Sequence, residues 1–187
     1  MLTPRQFFLF CPRCGQPYSS PEHLLAAGEH QRCSGCGTTV FHNPHPAVAA
    51  VPVHGRKALL ARRALEPAKG LIDTFGGFLE WGESPLDALM REFPEETGGA
   101  VFVPRCVTGI YHHYYPWDGL NISVITIVYL GLAEGEIHPA DDVSEALWYP
   151  IASLVNPLDP LLEFQWAFPH LPRAMEDVWN SLAEENR

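Results

Sequence analysis

Three glutamates lie within five residues of one another, in a stretch that has the pattern of a helix. Glu92, Glu95 and Glu96 share one helical face, at about 100° per residue. Several carboxylate oxygens together are the ligands that hard divalent cations such as Mg²⁺ prefer, and these cations usually bridge to substrate phosphates. Gly76 and Gly77 lie upstream, and glycine can bring bare backbone close to a metal or a phosphate. The stretch therefore indicates metal-assisted chemistry on a phosphate group.

The helix that carries these glutamates has a clear start. Ser84 is a favourable N-cap residue, and Pro85 suits the first helical position. Apolar residues recur at i, i+3, i+4 and i+7, the spacing of one buried helix face. This predicted stripe consists of Leu86, Leu89, Met90 and Phe93. The simplest alternative for the acidic side is a solvated face that binds nothing.

Pro94 departs from the helical pattern. It has no amide to donate to the Met90 carbonyl, and its ring clashes there, at a cost of about 3 kcal/mol in an ideal helix. We therefore expect a kink, a π-bulge or an early helix end near Met90 to Phe93. The direction in which Glu95 and Glu96 point depends on how that distortion is relieved.

The stretch from Gly77 to Gly98 resembles the Nudix box, G-x5-E-x7-R-E-U-x-E-E-x-G-U, in which U is a bulky apolar residue. The matching positions are Gly77, Glu83, Arg91, Glu92, Phe93, Glu95, Glu96 and Gly98. Gly99 departs from the pattern, which has an apolar residue there. Nudix hydrolases cleave nucleoside diphosphates linked to another moiety. The resemblance implies their α/β/α sandwich, an α+β fold with a mixed sheet.

In Nudix hydrolases the carboxylates of the box hold the catalytic metal. The resemblance implies two or three Mg²⁺ or Mn²⁺ ions on the diphosphate. Their ligands would be Glu92, Glu95, Glu96 and the Gly76 carbonyl. Glu83 would be an outer magnesium ligand or would support the inner ones.

Two further roles follow from the resemblance. Arg91 should orient a box carboxylate, by a bidentate pair. A carboxylate from a loop before the last strand often binds metal or activates water in this family, and Asp142 and Glu145 are the candidates. For each of these two residues, a solvated loop charge is the alternative.

Aromatic side chains cluster in a later segment and suggest a substrate-binding surface. Tyr114, Tyr115 and Trp117 are candidates to stack on an adenine, nicotinamide or flavin ring, since aromatic faces bind base faces. Trp117 lies in a predicted exposed turn, Pro116 to Gly119, although a hydrophobic core could absorb some of these rings. Arg62 and Arg63 could contact substrate phosphate, but an exposed strand end is the more ordinary interpretation.

Two CxxC knuckles near the beginning of the chain predict a zinc site. The four ligands would be Cys11, Cys14, Cys33 and Cys36. Eighteen residues separate the knuckles, which is the spacing of a zinc ribbon, and four thiolates suit a closed, structural Zn²⁺ site. Two disulfides or a CxxC redox site are the alternatives. We therefore divide the chain into a zinc ribbon over 1–45 and a Nudix domain over 46–187.

Hydrophobic patterning predicts the remaining elements of the second domain. The expected strands cover 47–53, 57–63, 100–107, 109–115, 121–132 and 146–149. A turn or short helix follows at 151–155, and a terminal helix at 172–184. The expected buried stripe of the terminal helix consists of Met175, Val178, Trp179 and Leu182.

Composition limits the possible partners. The chain has 187 residues and a formal net charge of −10, which argues against broad binding to nucleic-acid backbone or anionic membranes. The longest apolar run, from Ile122 to Ala133, is too short to cross a membrane. We expect a cytoplasmic enzyme with a small-molecule nucleotide substrate, no nucleic-acid or membrane partner and, as the resemblance allows, a homodimer.

A zinc ribbon joined to a Nudix domain resembles two branches of that family. The NADH diphosphatases carry a Ser-Gln-Pro-Trp-Pro-Phe-Pro run after the box, and this sequence has none. Asn43 to Ala47, the Asp141–Asp142 pair and Ala167–Phe168 look more like the ADP-ribose and FAD diphosphatases. We therefore expect Mg²⁺- or Mn²⁺-dependent hydrolysis of ADP-ribose or FAD with release of AMP, and NADH is the alternative. A non-catalytic nucleotide sensor, with a ribbon that binds protein or nucleic acid, is an alternative of another class.

The four-cysteine pattern generates a first prediction. Protein purified without added metal should contain about one zinc per chain by elemental analysis, because a closed four-thiolate site binds Zn²⁺ tightly. Cys106 lies outside the pattern and should react as a free thiol. Absence of zinc, together with disulfides among the four cysteines in mass spectrometry, would refute the zinc ribbon.

Overall fold

The computed structural model describes residues 8–18, 30–117, 120–154 and 171–185, and the chain forms two compact units. The first unit comprises Met1–His45 with Tyr114–Val124, and the second comprises Pro46–His113 with Ile125–Arg187. The predicted pair Ala167–Phe168 lies outside the described residues, as do part of the predicted ribbon and the last two residues of the predicted turn at 116–119.

The first unit contains a small antiparallel ribbon and two tight cysteine turns. Strand β1 (His30–Arg32) pairs with β2 (Thr39–Phe41). In each turn a glycine amide donates to the carbonyl of the first cysteine, from Gly15 to Cys11 at 2.8 Å and from Gly37 to Cys33 at 2.9 Å. Both glycines have positive φ, 72° and 74°, a conformation that other residues adopt only with strain.

Six strands form one mixed sheet. They are β3 (His45–His54), β4 (Lys57–Arg63), β5 (Ile72–Asp73), β6 (Val101–Trp117), β7 (Leu120–Glu134) and β8 (Val143–Pro150). The strand order is β5-β4-β3-β7-β6, and β8 pairs with β4. Strand β4 pairs antiparallel with β3 at its start, with β5 at its end and with β8 along its length. The end of β4 is therefore enclosed by other strands on both sides.

Two helices cover opposite faces of this sheet. Helix α1 (Pro85–Thr97) and helix α2 (Leu171–Glu185) belong to separate apolar clusters. Successive residues of β3 alternate between these clusters, so that Ala50 belongs to the cluster of Phe93 on α1 and Val51 to that of Met175 on α2. This arrangement is the predicted α/β/α sandwich. Among the described helices, none is long and apolar enough to cross a membrane.

Several elements match the predictions, and the exceptions have physical causes. Strand β4 has the predicted bounds, and a 3-10 helix occupies Ile151–Leu154. Strand β6 is continuous, although we expected two segments, 100–107 and 109–115. It includes Pro104, but it lies at the edge of the sheet, where a residue without an amide need not interrupt a ladder. The Leu182 side chain lies outside the described residues.

The predicted apolar stripe of α1 is wrong in two positions. Leu86 and Met90 are 47% and 39% exposed, whereas Leu89 and Phe93 are fully buried. The buried face is turned toward Glu96, which is itself buried. The helix therefore packs its acidic edge against the sheet and leaves part of its apolar side in solvent.

The expected early end of α1 at Pro94 is also wrong, as is the π-bulge. The helix stays α-helical from Pro85 to Thr97 and ends in a left-handed residue, Gly98, with φ 67°. Pro94 removes one bond of the ladder, but its carbonyl accepts from the Gly99 amide at 2.8 Å. Because the helix ends three residues later, the local cost stays within its last turn.

A substitution at Pro94 tests this account. Pro94→Gln restores an amide for the Met90 carbonyl and should increase the free energy of unfolding by at most about 3 kcal/mol. Because about 1 kcal/mol shifts the melting temperature of a chain of this size by about 2–4 °C, the melting temperature should rise. The matched control is Pro85→Gln, because proline is favourable at the first helical position and its loss should bring no gain. Thermal unfolding by circular dichroism gives both values. A melting temperature that falls in Pro94→Gln would contradict the account.

Candidate active site

The loop before α1 is bonded to β3 on both sides of Gly76. The Ala50 amide donates to the Phe75 carbonyl at 2.7 Å, and the Val48 amide donates to the Gly77 carbonyl at 2.9 Å. Gly76 lies between these contacts with φ 128°, and a Cβ there would stand 2.2 Å from the Val48 carbonyl oxygen. This position therefore requires glycine, and the backbone of the loop comes within reach of the helix.

Two box carboxylates contact this glycine backbone. The Gly76 amide donates to Glu96 Oε2 at 2.7 Å. A Cβ on Gly77 would lie 2.4 Å from Glu92 Oε1, so the Glu92 carboxylate occupies the space that a side chain at Gly77 would take. The second glycine thus makes room for a carboxylate, and the first supplies a hydrogen-bond donor to one.

Arg91 joins three glutamates. It forms a bidentate pair with Glu83, from Nε to Oε1 at 2.9 Å and from Nη2 to Oε2 at 3.0 Å. Its Nη1 lies 2.9 Å from Glu92 Oε1 and 3.3 Å from Glu95 Oε2. The hydrogen bonds with Arg91 lower the pKa of Glu83 and raise that of the guanidinium. Glu95 is the most solvated of the three, with a half-exposed side chain.

Negative charge accumulates on the other side of Glu92. Glu96 is only 4% exposed, and burial raises its pKa well above the ordinary value, with the charges of Asp142 and Glu92 adding to the effect. Asp142 belongs to a segment that is joined to the end of α1, where the Ala140 amide donates to the Glu96 carbonyl at 2.9 Å. Burial also raises the pKa of Glu92, against the opposing effect of Arg91. The Gly76 amide and Arg91 offset the negative charge of these carboxylates only in part.

The structure separates the two loop candidates. Asp142 lies beside Glu96, whereas Glu145 is more than half exposed and pairs with Arg62 at 2.6 Å. Arg62 also donates to the Gly70 carbonyl at 2.7 Å. Arg62 therefore connects the loop after β4 to β8.

The sequence offered Arg63 only as a candidate for phosphate contact, and it did not single out Asp73. Arg63 Nη1 lies 3.1 Å from Asp73 Oδ2, and Arg63 Nη2 lies 3.9 Å from Asp142 Oδ2. One signal was present in the sequence: Asp73 is a charged residue directly after a buried apolar one, Ile72, in a segment that leads into the box. The ion pairs themselves depend on strand pairing that the sequence does not reveal.

The aromatic candidates differ in exposure. Tyr114 and Trp117 are each about half exposed, at 53% and 52%, whereas Tyr115 is buried. The rings of Tyr115 and Trp117 are nearly parallel, with centroids 6.2 Å apart. All three residues belong to the first unit.

The four cysteines of the knuckles have the geometry of a metal site. Their sulfurs all lie within 4.8 Å of one another, with Cys11–Cys36 at 3.7 Å and Cys14–Cys33 at 3.6 Å. Tetrahedral zinc with bonds of about 2.3 Å places its sulfurs about 3.8 Å apart, so the cluster could hold zinc. None of the five cysteines is in a disulfide. Among the described residues, no other group of three or more potential ligands is this compact.

A match over most of the chain shows to which protein family it belongs. The NUDIX domain family matches residues 43–171, more than half of the chain. The chain belongs to the NUDIX family. A NUDIX hydrolase structure from Nitrosomonas europaea aligns with a TM-score of 0.65 at 22% identity, over 91% of this chain and 92% of that one. The predicted family and its fold are confirmed.

Two curated relatives show the range of NUDIX enzymes that this chain is similar to. It is 29% identical to the NAD-capped RNA hydrolase NudC of Stutzerimonas stutzeri, over 78% of this chain and 49% of the relative. It is 34% identical to an ADP-ribose pyrophosphatase of Methanocaldococcus jannaschii, over 59% of this chain and 65% of the relative. The chain therefore spans about half to two thirds of the length of these relatives.

The raised pKa of Glu96 generates a prediction about stability. The fold favours the protonated carboxyl, so its stabilisation is complete below the ordinary pKa and is lost as the pH rises toward the raised value. In protein free of Mg²⁺ and Mn²⁺, Glu96→Gln should therefore melt at a higher temperature than the parent, and the gap should widen from about pH 5 to pH 8.

The control for this measurement is Glu176→Gln on α2, where the glutamate is exposed. Its melting temperature should follow that of the parent at every pH, because an exposed carboxyl contributes little to stability. A gap for Glu96→Gln that narrows as the pH rises would contradict the prediction.

Proposed function

We propose that this protein hydrolyses the pyrophosphate bond of a nucleoside diphosphate derivative, with ADP-ribose or FAD as the favoured substrates and AMP as one product. Glu96 and Glu92 meet the backbone of Gly76 and Gly77, and the segment of Asp142 is joined to the end of the same helix; this arrangement carries the proposal. NADH is the alternative substrate.

The donor set fits a hard divalent cation. The carboxylates of Glu92 and Glu96 are partly or fully buried and incompletely neutralised, as the rise in both pKa values indicates. Glu92, Glu95, Glu96 and the Gly76 carbonyl would hold Mg²⁺ or Mn²⁺, with Glu83 farther out. When bound, such ions offset charge on the diphosphate and lower the pKa of the attacking water.

The other groups of the site restrain these ligands. Arg91 contacts the carboxylates of Glu83, Glu92 and Glu95, which limits their rotamers before any ligand binds. The Gly76 amide does the same for Glu96.

A carboxylate that accepts the proton of the attacking water must lie beside the metal ligands. Asp142 lies beside Glu96, and the ion pair of Glu145 with Arg62 engages the other candidate elsewhere. We therefore favour Asp142 for this role over Glu145.

Substrate recognition would use the exposed aromatic rings. Tyr114 and Trp117 each present about half of their surface to solvent, and such rings stack on nucleobases. Tyr115 is buried and would support Trp117, whose ring lies nearly parallel to its own. Arg62 stays a candidate for phosphate contact.

The relatives support the proposed class of substrate and add one further candidate substrate. One relative is an ADP-ribose pyrophosphatase, which supports ADP-ribose. The NudC relatives are NAD-capped RNA hydrolases, which supports the NADH alternative and weakens our expectation of no nucleic-acid substrate. An RNA that carries an NAD cap therefore belongs among the test compounds.

A non-catalytic sensor would be favoured by a distortion at Pro94 that displaced the last carboxylates of the box. Helix α1 continues through Pro94, and Glu96 accepts from Gly76 within hydrogen-bond distance. The proposed homodimer rests on the family resemblance alone, and sedimentation of the full chain tests it.

Release of AMP tests the proposal. The full chain should release AMP from at least one of ADP-ribose, FAD, NADH and NAD-capped RNA with Mg²⁺ or Mn²⁺. Glu92→Gln should lower kcat about a hundredfold or more, because metal activation supplies several kcal/mol. Glu176→Gln, exposed on α2, is the control and should leave kcat unchanged. No AMP from any compound, or full activity of Glu92→Gln, would overturn the proposal.

A further inference from the structure

The backbone around Asp142 is fixed from two directions. The Ala140 amide donates to the Glu96 carbonyl at 2.9 Å, which joins this segment to the end of α1. The Ala64 amide donates to the Asp142 carbonyl at 2.6 Å, which joins it to the end of β4. The backbone position of Asp142 is thus set by α1 and β4, but these bonds leave the direction of its carboxylate open.

One nitrogen of the Arg63 guanidinium lies within ion-pair distance of that carboxylate, and the other two contact the segment between β4 and Thr74. Nε donates to the Pro67 carbonyl at 2.7 Å, and Nη1 donates to Asp73 Oδ2 at 3.1 Å. The remaining Nη2 lies 3.9 Å from Asp142 Oδ2. The Arg63 side chain is only 14% exposed. A planar fork held at two nitrogens has a fixed third direction, and a lysine ammonium offers no equivalent.

Asp73 keeps this arginine in place. It is buried, and its Oδ1 accepts the Thr74 amide at 2.7 Å while its Oδ2 faces Arg63. Burial raises the pKa of Asp73, and the neighbouring Arg63 opposes that rise. Asp73 lies 3.1 Å from the guanidinium and Asp142 lies 3.9 Å from it, so Arg63 attracts Asp142 without forming a close pair with it.

We propose that Arg63 and Asp73 form a positioning pair that holds the Asp142 carboxylate beside Glu96. The inference rests on the proposed function, in which Asp142 takes the proton of the attacking water or binds the metal. Neither residue of the pair contacts the reacting atoms; both act through Asp142. The competing account is a structural one, in which Arg63 only closes the loop between β4 and β5 through Pro67 and Asp73.

A double-mutant cycle separates these accounts. Arg63→Lys keeps the charge but loses the fork, so it should fold and melt within a few degrees of the parent. It should lower kcat about 10- to 100-fold with KM within about twofold, because misplacing a catalytic group affects the chemical step. In an Asp142→Asn background, Arg63→Lys should have no further effect on kcat, since the group that it positions is already absent.

Two further variants complete the design. Asp73→Asn keeps the shape of the side chain and the Thr74 contact, and it should lower kcat as Arg63→Lys does. In the Asp142→Asn background, Asp73→Asn should have no further effect on kcat. It also replaces Arg63→Lys in the cycle if that protein does not fold. Arg105→Lys is the matched control: Arg105 is exposed on β6, and its exchange should change neither kcat nor the melting temperature.

The same cycle is run on the dissociation constant of Mn²⁺ without substrate, by calorimetry. Arg63→Lys should weaken Mn²⁺ binding about threefold or more, and the effect should vanish in Asp142→Asn. Mn²⁺ binding tests the positioning pair even if the parent hydrolyses none of the test compounds. Such a lack of hydrolysis would refute the proposed function but not the positioning pair. The inference is overturned if the effects of Arg63→Lys and Asp142→Asn add in both readouts. It is also overturned if Arg63→Lys has a normal kcat and a normal Mn²⁺ affinity.

Discussion

The hydrogen bond from the Gly76 amide to the Glu96 carboxylate connects the sheet to the helix of the box. On the sheet side it requires a residue without a Cβ, because Gly76 approaches the Val48 carbonyl too closely for any other. On the helix side it requires a buried carboxylate near the end of α1. Glu92 lies one turn earlier on the same helix, and the segment of Asp142 is joined to the Glu96 carbonyl.

This arrangement concentrates like charges in a partly buried space, and the surrounding apolar packing must compensate for that. Phe93 lies one turn before the end of α1, with ring centroids 5.2 Å from Phe75 and 5.3 Å from Phe102. Aromatic contacts of this kind contribute beyond the area that they bury. Helix α1 is therefore anchored by Phe93 beside the residues that repel one another. Such a site favours any ligand that brings positive charge.

The parts of the molecule that could be predicted are those set by neighbours in sequence. The box, the cysteine knuckles and β4 each follow from spacing, turn residues or a short apolar run. The positions that could not be predicted depend on contacts across the fold. The exposure of Leu86 and Met90 reflects the orientation of α1 against the sheet, and the continuity of β6 through Pro104 reflects its place at an edge. Arg63 and Asp73 meet only because β4 pairs with β5.

The ladder between β4 and β8 shifts register between Arg62 and Arg63, where Arg62 faces Glu145 and Arg63 faces Val143. Ser144 is the extra residue, and its hydroxyl donates to the Arg62 carbonyl at 3.1 Å. A bulge of this kind increases local twist and redirects the side chains beside it. Chain length is therefore more constrained here than residue type: an insertion or deletion next to Ser144 would move Asp142 relative to α1, whereas many substitutions at exposed positions of β8 would not.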